Sequence, residues 1–228
     1  MTKFSRLIIT LLFIWAITYN PLDKYNEYLT SDNSNLAVTT LSNNNYFLSG
    51  RIQHNDCVRV RNMLPRYSKR DTTERTIILS SPGGNFYEGL CIADYIHENR
   101  YNTVITSHPI ENSDNSKVCA SACAYIFIAG KDRSIIGNAL LGIHNAGLPK
   151  EVLNRYTPTV IEYTTHLGAA RLIESLDRYD IDSRLKLVFF KIPHSTILWL
   201  HPRKFKKNPE LREVATRYID FFGYNGEE

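Results

Sequence analysis

Three short stretches of the chain carry residues whose types and order suit acyl chemistry: Ser81-Pro82-Gly83-Gly84, Cys119-Ala120-Ser121-Ala122-Cys123 and Gly142-Ile143-His144. A serine hydroxyl is a poor nucleophile until a base takes its proton and nearby donors stabilise the oxyanion. Ser121 precedes a run of small and apolar residues, 122–129, that reads as a buried helix stopping at Gly130. It therefore stands at a helix N-terminus, among unpaired backbone N–H groups and at the positive end of the helix dipole. Taken alone, such a serine is more often a helix cap than a nucleophile. Gly83 and Gly84 lack Cβ atoms, so their backbone can approach a substrate carbonyl closely. The amides of Gly84 and Ala122, with Gly83 beside them, are the expected oxyanion donors. His144 ends a strand-like run, Leu140-Leu141-Gly142-Ile143, that can return it to Ser121 as general base. His97, His108, His166, His194 and His201 have no comparable context.

The elements that must position these residues follow from periodicity. Strands are expected over 46–52, 76–79, around 104–105, 133–136 and 140–143. A helix is expected over 58–64. Phe86, Leu90, Ala93 and Ile96 recur at helical spacing, which predicts a second helix ending near Asn99. Residues 107–117 are polar and read as a loop. Thr157-Pro158 is a good helix start, and Val160, Tyr163, Leu167, Ala170 and Ile173 mark a long amphipathic helix reaching about Arg178. Strands alternating with helices imply an α/β fold with crossover connections and a single domain.

Composition narrows the class. With 43% apolar and 22% charged residues the chain is an ordinary globular sequence, long enough for one α/β core. Its formal charge of +4 is spread rather than gathered in a basic tract, which argues against nucleic acid as a partner. Residues 1–19 read as an export signal: Lys3 and Arg6 precede an apolar run over 7–17. Two outcomes stay open there, cleavage before Tyr19 or retention as an anchor that associates the chain with a membrane. Residues 20–45 are polar and read as a linker, so the folded domain is expected over 46–224. Localisation is expected to be periplasmic or secreted. Four cysteines, at 57, 91, 119 and 123, suit an oxidising compartment. Their spacing is not that of a zinc site, and no metal or cofactor is expected.

Read together, the three stretches and the turn Ala129-Gly130-Lys131-Asp132-Arg133 resemble the Clp protease/crotonase superfamily, and more closely its exported bacterial Clp-like members, from Tyr46 to Tyr218. The resemblance implies a fold of repeated β-β-α units and a serine peptidase with Ser121 as nucleophile and His144 as base. It also implies a peptide or protein substrate and allows self-assembly. In that family an aspartate follows the long helix and precedes a segment like Leu198-Trp199-Leu200-His201-Pro202. The corresponding stretch here, Lys191-Ile192-Pro193-His194-Ser195-Thr196, has no acid. Asp177, Asp180 and Asp182 lie upstream. Asp182 is the candidate third member, and it is at least as well placed to cap a helix starting near Ser183. Two other readings follow: a binding protein that kept the fold and lost catalysis, and a crotonase-type enzyme acting on acyl thioesters, which export disfavours.

Overall fold

A computed structural model describes residues 35–42, 44–70, 73–110, 118–148, 150–200, 214 and 217–219. The expected 1–19 segment, most of 20–45 and much of the chain beyond residue 200 lie outside these residues.

Alternating burial sets the central strands. In β3 (Thr76–Ser80) Ile77 and Leu79 are fully buried, and in β4 (Asn102–Thr106) Thr103 and Ile105 are. They belong to a six-stranded sheet in the order β1-β2-β3-β4-β6-β9, with β1 (Ala37–Ser42), β2 (Asn45–Ser49), β6 (Arg133–Ile136) and β9 (Arg217–Ile219). All pairings in it are parallel except the β1–β2 hairpin. A second sheet has the order β5-β7-β8, with β5 (Val118–Ala120) parallel to β7 (Leu140–Ile143) and β8 (Leu198–Leu200) antiparallel to it. Among the described residues six helices accompany these strands: α1 (Asp56–Met63), α2 (Phe86–Glu98), α3 (Ala122–Ile128), α4 (Lys150–Arg155), α5 (Pro158–Arg178) and α6 (Ser183–Lys191). The chain is thus a mixed α/β domain with parallel and antiparallel sheets.

Strand β1 corrects the linker reading. It falls within 20–45, and Leu36 beside it is buried, so the domain begins before Tyr46. The reason is positional: β1 is an edge strand whose side chains are nearly all exposed, so its composition looks like a linker.

The core centres on α3, all seven of whose residues are buried, between α2 and the strands of both sheets. Helix α2 is fixed at its start by Asn85, whose side chain accepts hydrogen bonds from the Tyr87 and Glu88 N–H groups. Glu88 in turn accepts from the N–H groups of Asn55 and Cys57 at the start of α1, and a Cys57–Cys91 disulfide locks α1 onto α2.

The long helix α5 has the expected extent, but Val160, Tyr163, Leu167 and Ile173 face outward, Tyr163 being 65% exposed. Its C-terminal half docks instead, through buried Leu172, Ser175 and Leu176. A buried carboxylate supplies the rest of that docking: Asp94 of α2 accepts hydrogen bonds from Arg171, Arg178 and Tyr179 at 2.7, 2.8 and 2.7 Å. Burial and this carboxylate push the Tyr179 phenol far up, so it stays a neutral donor.

Candidate active site

The chain between β5 and α3 turns at a single residue, Ser121. Its φ of 56° and ψ of −123° lie in a region that non-glycine residues seldom occupy. Holding a serine there costs about 1–3 kcal/mol, so its surroundings must over-determine it. They do so from several sides. The Ser121 N–H donates to the Gly142 carbonyl of β7 at 3.0 Å, and the Ala120 N–H donates to the Ser81 carbonyl at 3.0 Å. A disulfide joins Cys119 to Cys123 directly across the turn, and both cysteines are fully buried. The flanking cysteines therefore act by covalent bridging, and among the described residues none is free.

The Ser81–Gly84 segment lies against this turn. Gly83 and Gly84 have φ of 92° and 140°. A Cβ on Gly83 would stand 2.5 Å from the Ala120 carbonyl oxygen and 2.6 Å from Ser121 Cβ. One on Gly84 would overlap the Ile52 carbonyl. Only glycine lets the two segments come this close. The three expected oxyanion donors are not equivalent. The Gly83 N–H is committed to Ser81 Oγ at 3.1 Å, and that hydroxyl donates to the Gly50 carbonyl at 2.6 Å. Gly83 is thereby corrected from donor to spacer. The N–H groups of Gly84 and Ala122 have no acceptor among the described residues, the latter because it opens a helix.

A pocket of about 250 Å³ is lined by Gly84, Ser121, Ala122 and His144 together with Phe86, Tyr125 and His194, and by residues 146–148. Three segments distant in sequence thus bring Ser121, His144 and the Gly84 and Ala122 N–H groups to one small volume. No hydrogen bond joins Ser121 Oγ to the His144 ring in this state. His144 follows β7, and its carbonyl accepts from the Tyr125 hydroxyl at 3.4 Å. Tyr125 stacks edge-on against Phe86, with ring centroids 5.7 Å apart. Burial pushes the Tyr125 phenol far up and keeps it neutral.

Burial also lowers the pKa of the His144 imidazole below its ordinary 6.5; the Asn145 backbone offsets part of this, and a charge on His194 adds to it. A base must be neutral to accept a proton, so the shift favours that role near neutral pH. His144 Nδ1 is buried with no hydrogen-bond partner among the described residues.

Asp182 does not line this pocket. Its carbonyl accepts from the Lys186 N–H at 3.0 Å, so it opens α6, as a cap does. The opposite end of that nine-residue helix, about 13 Å away at 1.5 Å per residue, meets the His144 segment: the Asn145 N–H donates to the Ile192 carbonyl at 2.9 Å. Asp177 is paired with Lys186. His194, which lacks any local motif, is the pocket residue that sequence reading passed over. Its signal was position, since it lies in the 191–196 stretch where an acid was sought.

Compared with known proteins, the chain matches no family model, and no curated protein matches it significantly.

Proposed function

We propose that the chain is an exported serine hydrolase of Clp/crotonase-like fold that cleaves peptide bonds by acyl transfer to water. The observation that carries this reading is the single pocket shared by Gly84, Ser121, Ala122 and His144, with Ser121 held in a strained turn at a helix start. Ser121 Oγ attacks the substrate carbonyl carbon while His144 Nε2 takes its proton. The resulting oxyanion accepts hydrogen bonds from the Gly84 and Ala122 N–H groups, a contribution worth on the order of 100-fold to 1000-fold in rate per donor. His144 returns the proton to the departing amine, then activates the water that releases the acyl group. These steps call for no cofactor or metal. The substrate is a peptide or protein segment, and self-assembly is part of the same proposal.

A binding protein without catalysis is the second reading. It is favoured by the absence of a carboxylate among the described residues lining the pocket and by the missing Ser121–His144 hydrogen bond. Turnover of a panel of short peptide and ester substrates decides between them. Hydrolysis abolished by Ser121→Ala supports the hydrolase, and no turnover in the unmutated chain supports the binding protein.

A further inference from the structure

A serine–histidine pair needs something to hold the imidazole in the tautomer that leaves Nε2 free, and an acid usually does so. Among the described residues no carboxylate lines this pocket, and His144 Nδ1 is buried without a partner. A proton on this nitrogen would leave an unpaired buried N–H, which costs about 1–3 kcal/mol, so an Nδ1–H tautomer needs an acceptor.

The pocket offers another group that can accept. His194 lines the same pocket as His144 and lies close enough for a charge on one ring to disfavour a charge on the other. Two local features bring it there. The Asn145 N–H bond to the Ile192 carbonyl ties the chain after His144 to the turn that carries His194. Residue 147 is glycine, and a Cβ there would stand 2.5 Å from His194 Cγ, so the absent side chain leaves the room in which the ring sits. His194 is exposed. Catalytic hydrogen bonds are often open in an empty site and close when substrate binds.

We propose that His194 is the positioning residue of the site, its imidazole accepting the Nδ1–H of His144, directly or through one water, so that Nε2 faces Ser121. The proposal rests on the hydrolase reading for its consequence, but not for its geometry. A neutral imidazole stabilises the imidazolium less than a carboxylate does. Its loss should therefore cost about 10-fold to 100-fold in acylation rate rather than the roughly 10,000-fold seen when a carboxylate orienter is replaced.

The test uses the full chain labelled with ¹⁵N-histidine, at pH 8, in the unmutated form and as His194→Ala and His194→Gln. Nitrogen shifts report the His144 tautomer, and a fluorophosphonate probe reports acylation of Ser121. The expected result is a dominant Nδ1–H tautomer in the unmutated chain, lost in His194→Ala together with the drop in labelling at unchanged Tm. Gln, which can still accept, should restore the tautomer and part of the rate. The proposal is overturned if His194→Ala leaves tautomer and rate unchanged, or if the rate falls only in step with Tm. Should the unmutated chain resist labelling, the hydrolase reading fails by itself. A tautomer shift in His194→Ala would then still establish the His144–His194 link, and its absence would remove both.

Discussion

The two disulfides should separate stability from reactivity. Cys57–Cys91 closes a loop with a sequence separation of 34, and Cys119–Cys123 one with a separation of 4. With chain entropy as the main effect, loops of these lengths correspond to about 4 and about 2 kcal/mol. For a domain of this size each kcal/mol moves Tm by roughly 2–4 °C. Replacing Cys57 and Cys91 by alanine should therefore lower Tm by about 8–16 °C, and replacing Cys119 and Cys123 by about 4–8 °C. Reactivity should run the other way. The first pair ties α1 to α2 and neither of its cysteines lines the pocket, whereas the second spans the strained Ser121 turn. Calorimetry and the rate of Ser121 labelling by a fluorophosphonate, both measured well below the lower Tm, read the two effects separately. The Cys57→Ala/Cys91→Ala variant should keep the unmutated labelling rate, and the Cys119→Ala/Cys123→Ala variant should lose at least about tenfold as the turn relaxes. If the second variant labels at the unmutated rate, the bridge does not hold the nucleophile and this reasoning fails.

Three further outcomes follow. Because burial lowers the His144 pKa, labelling should fall with decreasing pH through a midpoint below 6.5. The unfolded chain takes up its proton first, so this group's contribution to stability is present above 6.5 and lost as pH drops below it; a labelling midpoint above 6.5 would contradict the assignment. Asp182→Asn should change neither labelling nor Tm by more than about 0.5 kcal/mol equivalent, since asparagine caps a helix nearly as well; a collapse of labelling at constant Tm would make Asp182 the orienter. A reporter active only after export, fused behind residues 1–30, should be active; cytosolic retention would reopen thioester chemistry.

How much of this was legible depended on where each residue faces. Strands β3 and β4 alternate buried and half-buried residues, β7 is a short continuous run of buried residues, and α2 carries apolar residues at helical spacing, so these elements could be read. Strand β1 buries almost nothing, and β5 has three residues, too few for any period to emerge. The apolar stripe of α5 was legible as a stripe, but sequence does not say which side of a helix meets the core. In α5 the ion-paired Asp94 cluster, built from residues about eighty positions apart, fixes that choice. Ser121, His144 and Gly84, which share the pocket, could be singled out because each sits in a local motif. His194 was missed because what distinguishes it is proximity to His144, created by one backbone hydrogen bond between residues 145 and 192. Gly83 was assigned as a donor from its residue type, and only the neighbouring Ser81 hydroxyl shows its amide to be occupied.

The most direct test of the account is site-resolved labelling of the purified chain with a fluorophosphonate at pH 8, followed by peptide mass mapping. The account predicts one adduct, on Ser121, formed at a rate that falls at least about 100-fold in His144→Ala while Tm is preserved. No adduct on Ser121, or an adduct whose rate ignores His144, would contradict it.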